Sequence, residues 1–113
     1  MPEKLIRANL LRLTPVGTDM KDAIAVIESN KKWEIMYISN EFGYMLTLGG
    51  MPETYYPRYS PDILPEKIIG KQSIRATLGS YRTIFITSVV AFWGFDENSK
   101  LIDIHVRKEV DAL

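Results

Sequence analysis

The sequence contains no cysteine and a single histidine, and its charges cancel. Without cysteine the chain can form no disulfide framework, zinc–thiolate site or cysteine nucleophile. The acidic turn at residues 96–100 lacks the spacing and the glycine of a calcium-binding loop. Fourteen basic and fourteen acidic residues give a formal net charge of zero at pH 7, so no overall field attracts nucleic acid or an anionic membrane. The sequence therefore predicts no metal, no cofactor and no nucleic-acid partner.

Long apolar runs are also missing. No stretch of 18 apolar residues occurs, and the N-terminal residues 1–7 (MPEKLIR) lack the apolar core and cleavage site of a secretory signal. The sequence predicts a chain without a membrane span that is cytoplasmic as written. A signal segment preceding it in the full gene would place it in the cell envelope instead.

Catalytic motifs are absent as well. The string Gly70-Lys71-Gln72-Ser73 is only superficially like a phosphate-binding loop, which needs Ser or Thr directly after the lysine. His105 follows Asp103 on the same face of a predicted strand, but no serine lies in a Gly-x-Ser-x-Gly turn. A solvated or cross-strand-paired histidine is the simpler interpretation. We predict no catalytic residues and a protein that is not an enzyme.

The length and composition of the chain predict one folded domain over residues 1–113. Hydrophobic residues make up 46% of the chain, which is typical of globular proteins. Apolar residues recur at helical spacing in residues 2–13 and again between Met20 and Ile27. Gly17 precedes the second helix at a chain reversal where a positive φ is expected, and Thr18 is expected to cap that helix, with Asp19 as its first residue.

The remainder of the chain predicts strands. Residues 33–38 and 42–48 are expected to form a hairpin, followed by strands at 68–78, 83–95 and 101–107. Residues 83–95 are apolar on both faces, so both faces are expected to be covered. Ile102, Ile104 and Val106 alternate with polar residues, which predicts that these three share the dry face of a strand with one wet face. The predicted fold class is α+β, with two N-terminal helices packed on one face of an antiparallel sheet of about four to five strands.

Two features predict contact with a partner. The Pro/Tyr-rich loop at 49–67 contains three tyrosines and an arginine, residue types that dominate binding hot spots; they are Tyr55, Tyr56, Arg58 and Tyr59. These tyrosines could equally cover an edge of the core. The second feature is the doubly apolar strand, where Trp93 either lies under cover or forms part of a contact patch.

One stretch of the sequence carries a resemblance. Residues 17–24 (GTDMKDAI) resemble the Gly-x-Ser/Thr-x-x-Asp/Glu-Val element of small bacterial envelope proteins, the BamE/SmpA and β-lactamase-inhibitor-like group. Residues 95–101 (FDENSKL) and the alternating strand after them are similar to the last hairpin of that group. The resemblance covers about half of the chain and implies a two-helix, antiparallel-sheet fold. It also implies a binding or scaffolding role, often in a lipoprotein, although the lipid-accepting cysteine is absent here.

The leading prediction is therefore a non-enzymatic protein-binding or scaffolding domain, which could be the soluble part of an envelope lipoprotein. Its partner is a protein that the sequence does not identify, and a second copy of the chain is one candidate. Two alternatives stay open: an intracellular immunity or inhibitor protein that blocks a toxin, and a small-ligand-binding α+β domain with a pocket between sheet and helices.

Overall fold

A computed structural model describes residues 2–47 and 66–112, in which two helices are followed by six strands. The predicted α+β class is confirmed. Neither helix of this described part is long and apolar enough to cross a membrane. The elements are α1 (Glu3–Leu13), α2 (Met20–Ser29), β1 (Glu34–Ser39), β2 (Tyr44–Thr47), β3 (Glu66–Ile69), β4 (Gln72–Arg82), β5 (Phe85–Phe95) and β6 (Leu101–Ala112).

The strands form two antiparallel sheets. The larger has the order β1-β4-β5-β6, and β2 pairs with β3 in a separate two-stranded sheet. The predicted hairpin between residues 33–38 and 42–48 is therefore wrong. The Ser39 hydroxyl accepts hydrogen bonds from the N–H groups of Glu41 and Phe42, and this turn directs the chain away from β1. β1 pairs instead with β4, which places Ile35 against the core.

The predicted strand at 68–78 is divided in two. Gly70 has a φ of 85°, a left-handed conformation that ends β3 before β4 begins at Gln72. β3 also includes residues 66 and 67, which belong to the predicted loop at 49–67. The remaining residues of that predicted loop lie outside the described part of the chain.

β5 contributes alternate residues to two separate buried clusters. Its odd-numbered residues belong to the main core, which contains side chains from both helices and from the larger sheet: Leu10, Met20, Ala23, Ile27, Ile74, Ala76, Ala91, Trp93, Phe95, Leu101, Ile104 and Val106. Val90 and Phe92 pack with Tyr44 in the second cluster. The expected cover of both faces is confirmed for residues 90–95, and β2 and β3 supply part of it.

The connection between the helices confirms one expectation and corrects another. Gly17 has a φ of 96°, as predicted. α2 begins one residue later than predicted, at Met20, with Asp19 as its N-cap, and the Thr18 hydroxyl donates to the carbonyl of Pro15 rather than capping the helix. The Asp19 carboxylate forms an ion pair with Lys100, so its position is fixed by the β5–β6 turn.

A bulge interrupts the alternation of β6. Gly94 pairs with Asp103 and Phe95 pairs with Leu101, so Ile102 is an extra residue in the strand. Leu101 and Ile104 are buried on either side of it, whereas the Ile102 side chain is 40% exposed. The prediction that Ile102 shares the dry face with Ile104 and Val106 is therefore wrong.

Candidate functional site

The structure places only one of the predicted contact residues. Tyr55, Tyr56, Arg58 and Tyr59 lie outside the described residues. Trp93 is 0% exposed, and its indole Nε1 donates to the Thr14 hydroxyl at 3.1 Å. The hypothesis of a contact patch at Trp93 is therefore corrected, because strand alternation directs this side chain into the main core.

His105 is half-buried beside the second cluster, where it is paired across strands with Phe92 of β5 rather than solvated. Its ring centroid is 6.4 Å from that of Tyr44 and 6.3 Å from that of Phe92. Tyr44 stacks on Phe92 with a centroid separation of 5.8 Å, so the three rings form one group. These contacts place the imidazole of β6 against rings of β2 and β5, so the three rings join the small sheet to the large one.

Two arginines lie over the Phe92 ring and share one glutamate. The guanidinium carbons of Arg75 and Arg107 lie 5.3 Å and 4.8 Å from the Phe92 centroid, within the range of cation–π attraction. Glu109 Oε1 accepts from Arg75 and Oε2 accepts from Arg107, both at 2.7 Å. Because both carboxylate oxygens are occupied by arginine, this cluster is an internal ion network that connects β4 to β6.

The burial of His105 leads to a pH prediction. Its pKa lies below the ordinary value of 6.5, first because burial disfavours the imidazolium and then because Arg107 is nearby. The unfolded chain keeps the ordinary pKa, so it takes up the proton first as the pH falls below 6.5, and the free energy of unfolding decreases with falling pH. We expect an NMR titration of this single imidazole to give a pKa below 6.5.

The matched variant for this prediction is His105→Gln, which cannot take up the proton. Its free energy of unfolding should fall less than that of the parent chain when the pH is lowered from about 7 to about 5. A measured pKa at or above the ordinary value would contradict the burial that the structure assigns to His105.

A separate region of the surface combines exposed apolar groups with carboxylates. It is a depression of about 470 Å³. Its lining includes the apolar residues Phe42, Ile68 and Ile102 and the acidic residues Glu41, Asp96 and Glu97. Phe42 is 68% exposed and Ile68 is 56% exposed. We refer to these six residues as the apolar–acidic surface. Exposed apolar groups rimmed by polar residues are typical of contact sites.

Three connections of the fold assemble this surface. Gly43 follows Phe42, and a Cβ at this position would overlap the carbonyl oxygens of Ile69 and Gly70. The β1–β2 connection can therefore approach the β3–β4 connection only because residue 43 is glycine, and this approach brings Phe42 to Ile68. The bulge in β6 then turns Ile102 outward beside the β5–β6 turn that contains Asp96 and Glu97.

The backbone beneath the apolar–acidic surface is fixed by hydrogen bonds. The Phe42 N–H donates to Ser39 Oγ at 3.0 Å, and its carbonyl accepts from the buried Ser73 hydroxyl at 2.8 Å. Asp96 Oδ1 accepts from the N–H groups of Asn98 and Lys100, which holds the β5–β6 turn. An exposed aromatic group on a constrained backbone loses less conformational entropy when it binds.

The charge of this surface is predominantly negative. Of the described residues that line the depression, three contribute a carboxylate and one, Lys71, contributes an ammonium group. Within residues 2–47 and 66–112, the carboxylates of Glu41 and Glu97 have neither a salt bridge nor a hydrogen-bond partner. They are therefore available to a basic group of another molecule.

Sequence reasoning missed this surface. The turn residues Asn40 and Glu41 before Phe42 were the available signal, since an aromatic residue next to a turn is displaced from strand alternation. Nothing local marks Ile102 as a bulge, because its neighbours alternate as a regular strand does. The position of Ile68 in the same depression depends on pairing between segments distant in the chain.

An apolar groove of about 280 Å³ lies between α1 and the sheet. Its lining includes Leu13, Trp33, Leu78 and Val89. Among its described lining residues Arg12 alone carries an ionic group, so the groove has less to define a partner than the apolar–acidic surface. Among the described residues, no group of three or more His, Asp or Glu side chains is arranged to hold a metal ion.

Comparisons with models of protein families, with curated proteins and with solved structures give no significant match.

Proposed function

We propose that this chain is a non-enzymatic protein-binding domain and that the apolar–acidic surface is its contact site. The observation that carries the proposal is the 68% exposed Phe42 side chain, which is held on a backbone fixed at both its N–H and its carbonyl. An anchored aromatic group beside two exposed isoleucines is the arrangement expected at the centre of a contact region.

The charge of the surface defines the chemistry of the partner. Glu41, Asp96 and Glu97 favour lysine or arginine, and Phe42, Ile68 and Ile102 favour an apolar side chain. The partner we propose is a protein segment with one apolar anchor flanked by basic residues. A scaffold and a toxin inhibitor both need such a contact, so the proposal applies to either role.

The proposal includes the packing of both helices on one face of the sheet, which the BamE/SmpA resemblance implies. We propose that α1 and α2 cover the same face of the four-stranded sheet. The support is the composition of the main core, in which Leu10, Ala23 and Ile27 belong to one cluster with Ala91 and Trp93 of β5. That face would then be closed, leaving the apolar–acidic surface at the margin of the sheet for binding.

The test uses peptides of defined sequence. Random peptides displayed on phage are selected on the parent chain, and the enriched peptides are synthesised for fluorescence polarisation. We expect enrichment of an aromatic or aliphatic residue flanked by Lys or Arg. The double variant Glu41→Lys/Glu97→Lys should bind these peptides about tenfold more weakly, because it reverses two charges at the rim.

The matched control is Glu28→Lys/Glu34→Lys, which changes the net charge equally at two exposed residues outside the surface. It should bind the enriched peptides as the parent chain does. Enrichment of acidic peptides, or equal loss of binding in both double variants, would show that the apolar–acidic surface is not the contact site.

A further inference from the structure

Among the residues that the structure describes, no strand pairs with the outer edge of β6. β6 is the last strand of the four-stranded sheet, and β5 is its neighbour on the inner side. The backbone groups of Ile104 point away from β5, because its carbonyl accepts from Arg7 Nε at 2.7 Å and its N–H donates to Asp103 Oδ1 at 2.8 Å. Residues two apart share this direction, so the N–H and C=O groups of Val106, Lys108 and Val110 also point outward.

Arg7 and Asp103 limit the free part of this edge. They form an ion pair at 2.6 Å and occupy both outward backbone groups of Ile104, so another strand cannot pair there. No comparable side-chain bond protects Val106, Lys108 or Val110 within the described part of the chain. The opposite edge differs, because β1 is short and is interrupted by a bulge at Met36. The free edge therefore starts at Val106.

The sequence of this free edge is complementary to itself. In an antiparallel pair centred on Lys108, Val106 lies opposite Val110 of a second copy. Arg107 lies opposite Glu109 of that copy, where it adds to the bonds that this Glu109 already makes to Arg75 and Arg107 of its own chain, since each carboxylate oxygen can accept more than one hydrogen bond. Because the pair of strands is symmetric, the Arg107–Glu109 pair and the Val106–Val110 pair each occur twice. Val110 is 60% exposed in the single chain, so it is accessible to a second copy. The outward groups of residues 106, 108 and 110 meet as hydrogen-bonded pairs in this register. Only the two Lys108 side chains are unfavourably placed, since they meet on the symmetry axis.

Registers shifted by one residue are less favourable. Centring on Arg107 places Val106 opposite Lys108 and the two Arg107 side chains opposite each other. Centring on Glu109 places the two Glu109 side chains opposite each other and Val110 opposite Lys108. Like charges directly opposite destabilise a strand pair, and these registers also lose the Val106–Val110 contacts.

We propose that two copies of this chain associate through antiparallel pairing of β6 with β6, centred on Lys108, to form a continuous eight-stranded sheet. This inference goes beyond the proposed function, because the β6 edge and the apolar–acidic surface are different parts of the molecule. A dimer without peptide binding, or peptide binding by a monomer, would therefore separate the two proposals.

Cysteine cross-linking tests the register. The chain has no cysteine of its own, so each variant carries one defined thiol. In the proposed dimer the two residues 108 lie about 5.5 Å apart between Cα atoms, within the range of a disulfide. The two residues 110 are about 14 Å apart, which is too far. We expect Lys108→Cys to form a covalent dimer under mild oxidation, and Val110→Cys, the matched control, to remain monomeric.

Sedimentation velocity over a concentration series tests the association without a cross-link. Lys108→Thr removes the like-charge pair, and its dissociation constant should be about two- to fivefold lower than that of the parent chain. Lys108→Pro removes only an outward N–H, so the pairing of β6 with β5 is retained, and dimerisation should weaken about tenfold or more. Circular dichroism establishes that each variant is folded.

A parent chain that remains monomeric up to about 0.5 mM would overturn the proposal, since the dissociation constant of a specific dimer is expected to lie below this concentration. Equal cross-linking of the Lys108→Cys and Val110→Cys variants would overturn the register and with it the charge argument. A dimer that Lys108→Pro leaves intact while the variant is folded would show that association uses another surface.

Discussion

Replacing Trp93 with alanine is expected to lower the free energy of unfolding by about 4 kcal/mol. The side chain is fully buried among residues of both helices and of the larger sheet, so its removal leaves a cavity that rigid strands on either side cannot close. It also removes the hydrogen bond from Nε1 to the Thr14 hydroxyl. Urea denaturation followed by circular dichroism measures the loss.

Trp33 offers the matched control, because it is the only other tryptophan and is only partly buried at the edge of the same core. Trp33→Ala should cost clearly less than Trp93→Ala. The variant Trp93→Phe keeps most of the ring volume while losing the indole N–H, so its cost should lie between the parent and the alanine variant. Equal costs for the two alanine variants would contradict the burial of Trp93 at the centre of the core.

A methyl group at Gly70 is expected to lower the free energy of unfolding by about 3–5 kcal/mol. Gly70 has a φ of 85°, which alone is unfavourable for alanine. In addition, its Cβ would lie 2.6 Å from the Phe95 carbonyl oxygen and 2.9 Å from the Phe95 nitrogen. Backbone atoms of β5 cannot move aside as a flexible side chain can, so Gly70→Ala forces the β3–β4 connection away from the sheet.

Gly17→Ala separates the two causes. Gly17 also has a positive φ, 96°, but nothing lies within 4 Å of a Cβ at that position. Its alanine variant should therefore show only the conformational cost, about 1–2 kcal/mol. Thermal denaturation of both variants beside the parent measures the difference, and a Gly17→Ala variant as unstable as Gly70→Ala would show that crowding at Phe95 contributes nothing.

The helices were predictable because their signals are local. Apolar residues at helical spacing fixed the buried stripe of α2, in which Met20, Ala23 and Ile27 are buried. The exact start of α2 was not predictable, since Asp19 forms an ion pair with Lys100, 81 residues away in the chain. A helix cap can thus be displaced by a contact that no local pattern contains.

The strands were predictable as segments but not as pairs. The β-branched and aromatic residues of 33–38 and 42–48 indicate strands in either arrangement, because propensity describes a residue and not its neighbour. Which strand pairs with which depends on burying Ile35 at the core and on stacking Tyr44 upon Phe92. Both contacts join segments that are far apart in sequence.

The candidate site was the least predictable part of the molecule. Phe42 lies in the β1–β2 connection, Ile68 in β3 and Ile102 in β6. All three residues are apolar, so the sequence favours burying them. By itself the sequence determined the α+β class, the two helices, the positive φ at Gly17 and the doubly covered end of β5. The tertiary structure alone decided which apolar residues stay exposed. The bulge at Ile102 and the close approach at Gly43 both depend on pairing between distant segments. The alternation of residues along one strand does not indicate which strand it pairs with.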